Sequence, residues 1–347
     1  MTSLRTARRT YRNPVHDGYF ADPFVLRVED RYVAYGTGAT PGGRAFEVLE
    51  SPDLATWTSV GGALQPPDPA LGSDYWAPEV AQADGRFWMY YSVGHGDAGH
   101  HLRVAVADDA TGPFLDLGVN LTPGEPFAID PHPFRDVDGT WYLYFARDVL
   151  DGPRVGTQLA VAPLLGMSAL GSTTTVLEPS ADWQIYERDR AMYGARHDWH
   201  TLEGPSVRAH DGRYYCLYSG GSWQTAGYAV AWASAPTPLG PWTEPADGSG
   251  RLLGAVPGHV RGPGHNSVVT TFGGTDMIVY HAWDESLSAR QLCIDPMVWT
   301  PRGPTTPAPP GRTSPSPPDP PACCRAGRSP SPSHRSREFH VNVKVQY

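Results

Sequence analysis

Three acidic residues stand within two residues of a following proline at the head of an apolar segment: Asp22 in GYFADPFVL, Asp130 in AIDPHPF and Glu203 in TLEGPSV. One such acid alone is ordinarily a turn cap. Three at matching places of a repeat, with apolar flanks that would bury them, point further. A carboxylate taken out of water must find a partner or shift its pKa, and groups tuned in this way gather at reactive centres. Two carboxylates placed across an acetal oxygen can break a glycosidic bond. One protonates the leaving group, and the other activates a water on the opposite face. A third acid can hold the proton donor in place and raise its pKa by like-charge repulsion.

The elements that would position these acids repeat along the chain. VEDRYVAYGT (28–37), ADGRFWMYYS (83–92), DVDGTWYLYF (136–145), AHDGRYYCLY (209–218) and FGGTDMIVYH (272–281) each join a turn to an aromatic or β-branched run. Asp-Gly and Gly-Gly suit the positive φ of a tight hairpin, and Tyr, Trp, Phe and Val suit the strand that leaves it. Further strand candidates follow, as in HLRVAVADD (101–109), TQLAVAPLL (157–165) and YAVAWASA (228–235). Repetition at this spacing predicts an all-β fold, a five-bladed β-propeller of four-stranded antiparallel blades. The blades are expected at about 19–60, 74–120, 127–180, 200–246 and 262–300.

Composition narrows the partners. A net charge of −9 offers no clustered cations for phosphates, which excludes nucleic acid. The 11 Trp, 17 Tyr and 10 Phe provide stacking surfaces of the kind that sugar rings use. No apolar stretch is long enough to span a membrane, and MTSLRTARRTYRNPV has no apolar leader core, which gives a cytoplasmic expectation. Cys216 and Cys293 fall in predicted strands and Cys323–Cys324 in a tail, so the cysteines make neither a disulfide framework nor a zinc spacing. The catalytic propeller is expected over 1–302. Residues 303–347 read as a Pro/Ser/Arg-rich low-complexity tail, disordered or non-native.

The motifs ADPFV, WAPEV, IDPHPF, EGPSV and GPGHNSVV, in this order with the hairpin repeat between them, resemble glycoside hydrolase family 43. The resemblance runs from about Asn13 to Thr300. It implies an inverting hydrolase on a five-bladed propeller, acting on arabinofuranosyl or xylosyl linkages of oligosaccharides. It also implies Asp22 as general base, Asp130 as the pKa-modulating and orienting acid, and Glu203 as general acid. Glu79 in WAPEV is a fourth acid of the repeat, read between substrate contact and structural partner. Trp76 and Trp223 are expected to stack on sugar. His265 in GPGHNS is expected on the floor of the site. There the resemblance allows a structural calcium near the channel axis, met by His265 through water because calcium prefers oxygen; no cofactor is required. His95, His100 and His101 suggest zinc, but without a supporting framework they read as a solvated loop. Exo action is favoured over endo, and the motifs leave the oligomeric state open. Two other readings stay open: a retaining fructosyl-acting propeller, whose Asp-Pro-Asn and Arg-Asp-Pro motifs match poorly here, and a sugar-binding propeller without activity.

Overall fold

The computed structural model describes residues 10–40, 42–307 and the pair 314–315. These residues are all-β, with two short 3-10 turns and no α-helix among them. The strands form successive antiparallel runs of four. The first run comprises Ala21–Val28, Arg31–Ala39, Ala45–Ser51 and Thr58–Gln65. The second comprises Asp74–Ala83, Arg86–His95, Ala98–Ala107 and Phe114–Asn120. In the third, Ala128–Arg135, Trp141–Val149, Gly156–Leu165 and Thr174–Leu177 pair in order. The fourth uses Ala195–His210, Arg213–Gly220, Ala229–Ala235 and Arg251–Leu253. The fifth uses Arg261–Thr270, Asp276–Trp283, Arg290–Thr300 and Gly303–Thr305. Neighbouring runs also meet in parallel, Leu64 opposite Phe114 at their outer strands and Gly156 opposite His200 between a third and a first strand, which fuses them into larger sheets.

The expected hairpins are present. Asp84-Gly85 and Asp211-Gly212 link first to second strands with φ of 52° and 74°, and of 47° and 72°, as a two-residue turn with both central φ positive requires. The period of two along each strand then divides its side chains between two faces. Leu143 and Phe145 pack toward the second run, while Tyr144 and Ala146 pack toward the fourth. Every pair of neighbouring runs encloses a buried apolar cluster in this way, including the last with the first. The first strands follow one another in the same cyclic order, Arg261–Thr270 lying against Ala21–Val28.

The circle is closed by the start of the chain. Tyr11 and Phe20 enter the cluster between the first and fifth runs. The Asn13 side chain brackets Ile294, donating to its carbonyl at 2.8 Å and accepting from its N–H at 3.0 Å. Val15 N–H donates to Leu292 O and Phe20 N–H to Arg290 O. At the other end, Gly303–Thr305 pairs with Val298–Thr300, three residues beyond the boundary expected at residue 302. Gly303 (φ 115°) has Trp232 where a Cβ would stand, at 2.4 Å, so no larger residue fits there. Nearly all of the tail expected to be disordered, and Cys323–Cys324, lie outside the described residues.

Because Asn13 satisfies both backbone groups of a buried residue, Asn13→Ala should cost about 1–3 kcal/mol. Urea unfolding checks this; an unchanged midpoint would show that the clasp does not bear on stability.

Candidate active site

One irregularity, repeated in every first strand, builds the site. Ala21 pairs with Thr37 and Phe24 with Tyr35, so one extra residue is accommodated between them. The same shift falls between Trp76 and Glu79, Ile129 and His132, Glu203 and Ser206, and Gly264 and Ser267. Each is a β-bulge, a device that bends a strand and re-aims its side chains. Its left-handed residues are Asp22 (φ 51°), Ala77 (47°), Asp130 (58°), Gly204 (56°) and His265 (48°). Four of the five are followed by proline, which lacks the N–H that a bulge leaves unpaired.

This frame refines the equivalence expected of the acids. Asp22 and Asp130 hold the same bulge position, with Ala77, Gly204 and His265 as its occupants elsewhere. Glu203 stands one residue before it, opposite Ser219, and Glu79 two residues after it, opposite Tyr90. At Gly204 a Cβ would come within 3.2 Å of the His265 ring, in a conformation that side chains rarely adopt.

Asp22, Asp130 and Glu203 converge on one cavity of about 470 Å³, also lined by Trp76, Trp223, His265 and Arg290. The acids are 8 %, 6 % and 9 % exposed, so their charges depend on protein partners rather than water. Asp22 accepts from Arg290 Nη1 at 3.1 Å, with His265 Nδ1 at 3.4 Å. Its own N–H donates to His281 Nδ1 at 3.1 Å. Burial opposes its charge, but Arg290, then His265 and His281, outweigh that and hold Asp22 well below the usual carboxylate range. Burial pushes Glu203 up to about 7, the Tyr228 hydroxyl partly offsetting it through a 2.5 Å hydrogen bond. Asp130 is raised well above the ordinary range by burial, then by Glu203 and Asp22. Its Oδ2 accepts the N–H of Gly204 at 2.9 Å, which ties it to the backbone beside Glu203.

The other expected residues divide. Trp76 lines the cavity and lies on His100, ring centres 3.7 Å apart. His100 is therefore fully buried and hydrogen-bonded to Gly96 O, not part of a solvated loop as expected; burial lowers its pKa to about 4. Trp223 lines the cavity, stacked on Trp283 and 4.5 Å from the Arg290 guanidinium. Glu79 does not line it. Its Oε2 accepts from His132 Nδ1 at 2.6 Å, and His132 Nε2 accepts from Val207 N–H, so the pair braces neighbouring first strands. Of its two readings, the structural partner is the one whose contacts are present. Among the described residues no group of three or more His, Cys, Asp or Glu is placed to hold a metal, at His265 or in the His95–His101 segment.

Arg290, Tyr228 and His281 were not foreseen. Arg290 opens a strand where a charge reads as solvated. Tyr228 reads as one more strand aromatic; its ring passes so close to Gly264 that a Cβ there would lie 1.9 Å from it. No local signal marks any of the three, since each is defined by a contact across the ring.

Comparison with known proteins fits this geometry. The model of Glycosyl hydrolases family 43 matches residues 11–304. A β-D-galactofuranosidase of Aspergillus niger is 28% identical, the match covering 88% of this chain and 87% of that protein. The crystal structure of a thermostable family-43 glycoside hydrolase superposes with a TM-score of 0.78 at 32% identity, over 89% of this chain and 99% of that one. An extracellular exo-α-(1→5)-L-arabinofuranosidase of Streptomyces avermitilis is 26% identical over 78% of this chain, which spans 56% of its length. Three arabinanase relatives are likewise extracellular enzymes, and this overturns the cytoplasmic expectation. That expectation rested on the first fifteen residues alone, whose composition says nothing of where the catalytic fold works. No helix among the described residues is long and apolar enough to cross a membrane. With the model matched over most of its length and a site of buried acids to go with it, the chain belongs to glycosyl hydrolases family 43, an inverting family of glycoside hydrolases.

Proposed function

We propose that this enzyme removes arabinofuranosyl or xylosyl units from the ends of plant cell-wall oligosaccharides, with Asp22 as base, Glu203 as acid and Asp130 as the acid that orients and tunes Glu203. One observation carries the reading: three acids of one cavity are pushed to different protonation states. Arg290 keeps Asp22 ionised, while Glu203 and Asp130 hold protons more tightly than free carboxyls. Separation of this kind assigns acid and base roles. The relatives' names support the sugar class, since they include arabinan-acting enzymes and a xylosidase/arabinosidase.

In this reading a water between Asp22 and the anomeric carbon loses its proton to Asp22 as it attacks. Glu203 gives its proton to the departing oxygen, and one displacement inverts the anomeric centre. Trp76 and Trp223 offer ring faces to the sugar. The five runs would be the blades of a five-bladed propeller, the cyclic packing of their first strands supporting that count. Calcium near the axis is retained only as a hydrated ion that His265 meets through water, and no step is routed through it.

Three outcomes follow. Asp22→Asn should lower kcat about 10²–10⁴-fold in a folded protein, and proton NMR of the first sugar released by the unaltered enzyme should show the inverted anomer. Near-normal turnover of the variant, or a retained anomer, removes Asp22 from its role.

Glu203→Ala should damage hydrolysis of natural oligosaccharides far more than that of nitrophenyl arabinofuranoside or xyloside, whose leaving group needs little protonation. Equal losses would make Glu203 structural.

The pH profile of kcat/KM gives the third. Activity requires protonated Glu203, so it should fall as pH rises through about 7. It requires ionised Asp22, so the acid limb should lie below the ordinary carboxylate range. The Tyr228 hydroxyl favours the ionised form of Glu203, so Tyr228→Phe should move the alkaline limb to higher pH. A limb that moves lower would contradict the assignment.

A further inference from the structure

Between the third and fourth runs the chain makes an added hairpin. Ile185–Met192 pairs with the leading half of Ala195–His210 and turns at Tyr193-Gly194, with φ of 50° and 77°. Its attachments reach across the rim. The Tyr193 hydroxyl donates at 2.7 Å to Asp148 Oδ2 in the third run, and the buried Asp148 also accepts from Thr157 at 2.9 Å. Arg190 Nη2 donates at 2.9 Å to Asp97 Oδ2, in the turn between Arg86–His95 and Ala98–Ala107 of the second run. A segment leading into the fourth run thus passes over the third and fastens to the second. Tyr186, Arg190, Met192 and Trp199 of this hairpin line the cavity. Arg190 is 16 % exposed, its guanidinium 4.7 Å from the centre of the Tyr186 ring and 6.0 Å from that of Trp199.

We propose that this hairpin is a strap closing one end of the sugar-binding cleft, and that Arg190 is the specificity-determining residue that keeps it closed. The inference rests on the glycosidase reading and adds the element that confines cleavage to chain ends. A polysaccharide cut in its interior must leave the scissile site in both directions. A hairpin tied by side chains to the third and second runs would obstruct that path on its side. Arg190 is held by a cation–π contact with Tyr186 and an ion pair with Asp97 together, and the compact Lys ammonium would keep the ion pair with a weaker hold on the ring.

The test compares the unaltered enzyme with Arg190→Ala and Arg190→Lys on soluble linear arabinan and xylan, reading the lengths of the first products, and on nitrophenyl arabinofuranoside and xyloside. The unaltered enzyme should release only monosaccharide from polymer. Arg190→Ala should release oligosaccharides among its first products, with Arg190→Lys releasing fewer. Monosaccharide alone from an Arg190→Ala variant that still cleaves nitrophenyl glycosides overturns the strap but leaves the glycosidase reading intact. So does an unaltered enzyme that already cuts internally. Inactivity of the unaltered enzyme on every glycoside overturns the glycosidase reading and the inference with it. Should Arg190→Ala stop turnover altogether, binding is measured in the Asp22→Asn background. There the opened strap should let affinity keep rising with oligosaccharide length, and an identical length dependence with and without Arg190 overturns the proposal.

Discussion

Of the groups that line the cavity, Asp22, Asp130 and Glu203 influence one another's charge, and Arg290 is the guanidinium in contact with one of them. Three full anions so close together and away from water would repel one another at a cost that burial makes worse. One cation relieves one of them. Arg290 lies on Asp22 and favours its charged form, while burial and mutual repulsion raise the pKa of Asp130 and burial raises that of Glu203. The proposed division of labour between acid and base would therefore follow from the placement of Arg290 on Asp22.

Placement in turn depends on the bulges. A regular strand would turn alternate residues toward the two inter-run clusters and leave none for the axis. The extra residue in each first strand breaks that alternation; its five occupants are Asp, Ala, Asp, Gly and His, of which Asp22, Asp130 and His265 line the cavity. The small occupants serve the charged ones. Gly204 admits the His265 ring and donates its N–H to Asp130. Glu203, one step off the bulge, instead takes its hydrogen bond from Tyr228.

Much of this was legible in the sequence. The Asp-Gly turns and their aromatic strands gave the hairpins, because turn chemistry and period-two burial are local. Asp22, Asp130 and Glu203 were readable because a proline follows each within two residues and marks the irregular position. Unit limits came out close for the second and third runs and short for the first, fourth and fifth, whose last strands end at Gln65, Leu253 and Thr305. Arg290 and His281 were not readable, since their partner Asp22 lies far away in sequence, and Tyr228 was not because its position before a strand reads as core packing. The hairpin at 185–201 was hidden for another reason. Its Glu, Arg and Asp residues look like a solvated connection, and only the folded chain turns Arg190 inward.

The clasp at Asn13 links assembly to chemistry. It holds Ile294, four residues beyond Arg290, and Phe20, two residues before Asp22, donates to the Arg290 carbonyl. The ionising contact between Asp22 and Arg290 joins groups 268 positions apart. A nascent or truncated chain that already has all three acids therefore lacks the group that separates their charges. On the proposed roles, the contact that distinguishes base from acid exists only where the two ends of the fold meet.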